Sequence, residues 1–169
     1  MMQKEDFNIF AELLEYPQDA FHKKAADYSK EISDFYDFVK EKSLHELQEL
    51  YVKTFELDPV CNLYIGVHIF GEDGFKRGSF MARLKEAYLK YGINNNDIAD
   101  FLPCILRLAS KLEDANKFND LVEECILGPL DLILDSLKKE SNPYKSLLIA
   151  LKEFAKSCEK KEVQIVQNA

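Results

Sequence analysis

The side chains able to do covalent or metal chemistry are scattered along this 169-residue chain. Cys61, Cys104, Cys125 and Cys158 form no C-x-x-C pair, and His22, His45 and His68 include no pair at zinc-ligand spacing. Redox and metal sites need such groups gathered, so the cysteines are expected to fill the core as small hydrophobes. Acids outnumber bases, 30 Asp and Glu against 22 Lys and Arg. Neighbouring carboxylates such as Glu123 with Glu124, or Glu56 with Asp58, therefore read as solvated faces rather than acid–base pairs. No G-x-S-x-G, H-E-x-x-H or phosphate loop occurs, and Gly71-Glu72-Asp73-Gly74 reads as a turn. The chemistry that remains is recognition. Residues 47–112 are dense in Tyr and Phe, which bury large area at low rotamer cost. Two readings stay open for this block: ordinary core, or an apolar groove that accepts an amphipathic segment of another protein.

Composition narrows the partners. A net charge of −8 disfavours a phosphate backbone as the main ligand, so no nucleic acid is expected. The 47% hydrophobic content suffices for one domain without a metal or disulfide staple. No stretch approaches the roughly 20 apolar residues of a membrane span, so no direct membrane insertion is expected. Met1 to Asp6 lacks the layout of a secretory signal, so the cysteines are expected to be reduced.

Elements that must position these residues follow from spacing. Phe7, Phe10, Leu13 and Leu14 mark a first helix, closed by Tyr16-Pro17. The stripe from Phe21 through Ala25, Tyr28, Ile32 and Phe35 to Val39 predicts one continuous helix. Ser43 with Glu46 is a capping box that opens another, carrying Leu47, Tyr51, Thr54 and Phe55 to a stop at Asp58-Pro59. A further helix runs from Ser79 to Tyr91, with Gly92 as its C′ glycine, and Asn94 to Asp97 form a turn. Pro103 either kinks a helix over Ile98–Leu112 or stands in its first turn. Phe118 to Leu137 predicts a central helix interrupted at Gly128-Pro129, and Asn142-Pro143 caps a last one through Cys158. Leu63 to Phe70 alternates like a strand yet also spaces like a helix, and the pattern alone leaves both open. The expected class is all-α, a single-domain bundle of about seven helices over residues 1–158. A polar tail, 159–169, is expected to fray.

Several short motifs recur in an order seen elsewhere: Leu13-Leu14-Glu15-Tyr16-Pro17, Tyr51-Val52-Lys53-Thr54-Phe55-Glu56, Asn62-Leu63-Tyr64, His68-Ile69-Phe70-Gly71-Glu72, Arg77-Gly78, Met81 and Phe101-Leu102-Pro103. In them the chain resembles the nitrate reductase delta chain family, the molybdenum cofactor assembly chaperones related to the trimethylamine-N-oxide and dimethyl sulfoxide reductase chaperones. Members usually carry Asp where Glu56 stands and a second His where Phe70 stands. The resemblance therefore leaves open a nitrate reductase or a dimethyl sulfoxide reductase-type client.

The resemblance implies a cytoplasmic, non-catalytic chaperone. It would hold the N-terminal leader of an apo molybdopterin oxidoreductase catalytic subunit while molybdopterin guanine dinucleotide is inserted into that client. No cofactor is expected to stay bound to the chaperone itself, which would be a monomer or a domain-swapped dimer. Residues 62–70 should then be helical and line the groove. Tyr51, Phe55, Leu63, Val67, Phe70 and Met81 are expected to supply apolar pockets, and Tyr64 and His68 a polar rim. Glu56, Asp58, Glu72 and Asp73 would attract a basic leader. Arg77 is a further candidate, with capping of its loop as the competing role; core packing competes for Tyr51 and Phe55, and a hydrogen bond to a loop carbonyl for His68. From other classes, a helical ligand-binding protein or enzyme and a structural subunit of the mature complex remain as alternatives.

Overall fold

The computed structural model describes residues 2–57, 61–137 and 141–167, with side chains described as far as Glu159. Its elements are α1 (Phe7–Leu13), α2 (Phe21–Asp27), α3 (Ser33–Val39), α4 (Leu44–Tyr51), α5 (Ile65–Phe70), α6 (Gly74–Lys90), α7 (Leu102–Lys111), α8 (Ala115–Leu121), α9 (Gly128–Ser136) and α10 (Tyr144–Gln167). Two π-helical stretches extend them: Val52–Glu56 continues α4, and Val122–Leu127 joins α8 to α9. Among the described residues the class is all-α. The expected stop at Asp58-Pro59 lies outside the described residues, while the last helix, expected to end at Cys158, continues to Gln167. No helix among the described residues is long and apolar enough to cross a membrane.

Local signals act where expected. Ser43 Oγ accepts from the Glu46 backbone N–H at 3.2 Å, and the Ser43 N–H donates to Glu46 Oε2 at 2.8 Å. Gly92 takes φ +65°, the left-handed region that favours glycine, and the Ile93 N–H then reaches back to the Tyr88 carbonyl at 2.8 Å. Asn142 Oδ1 accepts from the Tyr144 N–H at 3.0 Å and so opens α10. Of the two readings for Pro103, the structure takes the first turn of α7.

Other expectations need correction. The run from Phe21 to Val39 breaks at Tyr28–Ile32 into α2 and α3. A straight helix would hold Phe21 and Phe35 about 21 Å apart at 1.5 Å per residue. Folding back brings their rings to 6.4 Å within one core. Gly128-Pro129 does not interrupt its helix; the widened turn over Val122–Leu127 precedes it and carries the chain through. In a regular helix the proline ring would clash with the carbonyl four residues back, a contact the i→i+5 geometry relieves. This rod shares the centre with α7: eight of the ten α7 residues are buried, between α1 and the π-helical stretch at Val122–Leu127, while Leu132 on the outer side of α9 is exposed.

The segment from Asn62 to Phe70 divides. Asn62 to Tyr64 lies outside any helix, with Tyr64 extended and joined to Phe101 by a single antiparallel bridge, and α5 begins at Ile65. Helix therefore covers 65–70 and not the whole of 62–70. All four cysteines are buried, and burial pushes the Cys104 and Cys125 thiols up to about 12.

Candidate functional site

A cavity of about 350 Å³ opens where four stretches of chain meet. Glu15, Tyr16 and Gln18 come from the turn after α1. Tyr51, Phe55 and Glu56 come from α4 and its π-helical extension, Leu63 and Tyr64 from the extended piece before α5, and Asp97 and Phe101 from the loop before α7. The π-helical turn matters here. An α-helix rotates about 100° per residue, which would carry Glu56 well away from the Tyr51 face. The turn closed by the Leu57 N–H on the Val52 carbonyl at 3.0 Å draws residues five apart toward one line. Tyr51, Phe55 and Glu56 consequently share the cavity wall.

Each ring is held. The Tyr51 hydroxyl donates to the Leu14 carbonyl at 3.1 Å, and its ring lies edge-on to Tyr16 at 5.7 Å and to Phe55 at 5.1 Å. Tyr64 and Phe101 form a second pair at 5.5 Å. Backbone bonds zip these segments together: the Leu102 N–H donates to the Leu63 carbonyl and the Ile65 N–H to the Asp100 carbonyl, both at 2.8 Å. From the core side Tyr144 packs on Phe55 at 4.8 Å and on Tyr51 at 6.1 Å. Behind them Asn142 donates to Thr54 Oγ1 at 2.7 Å, tying α10 to the π-helical turn.

The rim is negative. Glu15, Glu56 and Asp97 line the cavity and, among the described residues, no Lys, Arg or His does. Arg107 pairs with Glu15 at 2.7 Å, while Glu56 and Asp97 form no ion pair among the described residues. Burial, followed by the field of Glu56 and smaller contributions from Tyr64, Glu15 and Asp97, pushes the Tyr51 hydroxyl well above the ordinary phenol range.

Beside the cavity stands a clamp that fixes the loop. Asp100 is fully buried. Its Oδ2 accepts from Arg77 Nε at 2.8 Å and from the Gly66 N–H at 3.0 Å, and its Oδ1 accepts from Arg77 Nη2 at 3.2 Å. The hydrogen bond to Asp100 holds the Arg77 guanidinium above even its usual high pKa. Gly66 is required by close approach: a Cβ there would meet Asp100 Oδ2 at 2.5 Å and Arg77 Cγ at 2.8 Å. The Tyr88 hydroxyl adds a 2.6 Å bond to the Ala99 carbonyl.

Of the residues expected to touch or attract a client, the structure brings Tyr51, Phe55, Glu56, Leu63 and Tyr64 together around the cavity. The others stand elsewhere. His68 Nε2 is 2.8 Å from the Asn62 carbonyl, which makes that nitrogen the donor and the ring a brace for the extended piece. Phe70 packs on Phe80 at 5.5 Å, Val67 is half-buried on α5, and Met81 lies half-buried against the core. Glu72 is exposed in the turn between α5 and α6, Arg77 belongs to the Asp100 clamp, and Asp58 lies outside the described residues. Sequence reasoning missed Gln18, Asp97, and the wall positions of Glu15, Tyr16 and Phe101. The last three sit inside motifs that carry the family resemblance, which was the available signal; Gln18 and Asp97 carried none.

Tyr16 also borders a second, mainly apolar depression of about 230 Å³ with Val52 and Leu57 on its walls. Among the described residues no group of three or more His, Cys, Asp or Glu is placed to hold a metal ion.

No single curated protein matches the chain. The nitrate reductase delta subunit family matches residues 21–155, from α2 into α10, a span that includes the π-helical turn, the extended piece, the clamp and the loop before α7. With well over half the chain covered, this protein belongs to the nitrate reductase delta subunit family, chaperones of molybdoenzyme maturation rather than catalysts.

Proposed function

We propose that this chaperone binds the N-terminal leader of an apo molybdopterin oxidoreductase catalytic subunit, a nitrate reductase or a relative, across the face that carries the cavity. The observation that carries the reading is the aromatic cavity itself, continued past Tyr16 by an apolar depression. Together they offer an aromatic pocket and a neighbouring greasy step, the surface that one face of an amphipathic helix requires. Aromatic walls held from behind by α10 and the clamp lose little freedom on binding, which keeps the cost of ordering low. The acidic rim speeds encounter with a basic leader and selects against acidic ones. Engaged there, the leader is kept from premature assembly while cofactor enters the client elsewhere, in the cytoplasm.

The test is titration of the purified full chain with the leader peptide of the catalytic subunit that co-purifies from the native host. Saturable one-to-one binding in about the micromolar range is expected. Tyr64→Ala and Phe101→Ala should each weaken it by about tenfold or more, the effect of losing a buried aromatic anchor. A leader that does not bind, or that binds both variants as tightly as the parent while they remain folded, removes the proposal.

A further inference from the structure

The cavity's shape and sign go beyond a general peptide-binding face. At about 350 Å³ it is at the small end of ligand sites, roughly 300–1,000 Å³, a volume suited to one side chain rather than a whole helix. Its walls hold two ring pairs, Tyr16 with Tyr51 and Tyr64 with Phe101. The cation–π contacts found among the described residues use Phe118, Tyr36, Phe38 and Tyr91, so none of these four rings carries a cation from its own chain. Glu56 and Asp97 stand exposed at the mouth without an ion pair among the described residues. Arg107 is engaged with Glu15 at 2.7 Å, which leaves the other two carboxylates uncompensated. Ring faces attract cations, and a planar group with forked donors matches both an aromatic face and a carboxylate, as a compact ammonium does not.

We infer that the cavity is a guanidinium site: it takes one arginine side chain of the bound segment against the Tyr64–Phe101 and Tyr16–Tyr51 rings, with Glu56 and Asp97 accepting its N–H groups. This rests on the leader-binding reading for its biological source, while the site's chemistry is independent of it. The arginine anchors the segment, and apolar residues beside it fall toward the depression past Tyr16. Lysine is the poorer fit, because it offers a point charge and cannot stack.

The site is tested with N-acetyl-arginine methylamide, followed by NMR on the isotopically labelled full chain, beside the lysine analogue and the neutral citrulline analogue. Saturable shifts centred on the four rings are expected, with a dissociation constant of about a millimolar for so small a probe. The citrulline analogue should bind about tenfold or more weakly, since it loses the charge assistance, with lysine in between. Glu56→Gln with Asp97→Asn should reduce arginine binding by a similar factor; both side chains are exposed, so an unchanged melting temperature will show that the fold is intact. Equal binding of citrulline, shifts centred elsewhere, or undiminished binding by the double variant overturns the site. Two outcomes separate it from the wider function. A leader peptide whose arginines are replaced by citrulline and which still binds at full strength overturns the guanidinium site and leaves leader binding standing. An arginine probe that fills the cavity while the leader fails to displace it supports the site and overturns the leader reading.

Discussion

Two carboxylates on the loop between α6 and α7, Asp97 and Asp100, are three residues apart and differ in nearly every physical respect. Asp97 is exposed at the mouth of the cavity, with its own backbone N–H turned to Asn95 Oδ1 at 2.9 Å and no cation on its carboxylate among the described residues. Asp100 is fully buried and accepts three hydrogen bonds from Arg77 and Gly66. One is free to meet a ligand; the other holds the loop so that it can. Buried charge is tolerable only when paired and hydrogen-bonded, and a pocket charge is useful only when it is left unpaired. The division of labour between clamp and cavity follows from that opposition.

The largest effect should come from removing the cation while leaving the buried carboxylate. Arg77→Met is expected to cost about 3–5 kcal/mol, the scale for stranding a buried charge, read from urea unfolding. Asp100→Asn should cost less, about 1–3 kcal/mol, because the guanidinium, 27% exposed, can turn to water. If the two substitutions prove equal, the asymmetry assigned to the clamp is wrong. Gly66→Ala comes next, at about 1–3 kcal/mol for overpacking against Asp100 and Arg77. It should also weaken leader binding by displacing Tyr64 and Phe101.

The buried thiols set a pH dependence on the same side of the comparison. Cys104 and Cys125 have pKa values raised from 9.0 to about 12. The unfolded chain therefore releases their protons first, and stability, complete below pH 9, falls as pH rises toward 12. Unfolding midpoints measured across that range should decline, and Cys125→Ala should flatten the decline. A slope that the substitution does not change would assign the effect to the buried tyrosines instead.

Smaller effects belong to the cavity. Tyr51→Phe removes one hydrogen bond to the Leu14 carbonyl and should cost about 1 kcal/mol of stability, with leader affinity nearly kept. Asp97→Asn should shift stability by no more than about 0.5 kcal/mol yet slow leader association, most clearly at low salt. An association rate indifferent to both the substitution and salt would take Asp97 out of recognition.

Legibility follows the reach of the physics involved. The capping box at Ser43, the left-handed Gly92 and the Asn142-Pro143 start of α10 each depend on residues within four or five positions, and each is present. Tyr51, Phe55, Leu63 and Tyr64 could be named because aromatic density and motif order pointed to them. Gln18 and Asp97 could not, for each is an ordinary polar residue until the fold brings it to the other walls. Asp100 is the sharper case. In sequence it is one acid among 30, and nothing local marks it as the residue that must be buried and paired. His68 and Arg77 lie in recognisable motifs, yet their partners, Asn62 and Asp100, turn them toward holding the framework.

By itself the sequence determined the helical class, several helix ends and the family, because periodicity, caps and motif order are written in neighbouring residues. Tertiary structure alone decided that the 21–39 stripe folds back, that Val52–Glu56 widens into a π-helical turn, and which carboxylates face the cavity. Those outcomes depend on packing between segments far apart in the chain, where the energy of a side chain is set by partners that its neighbours in sequence do not specify.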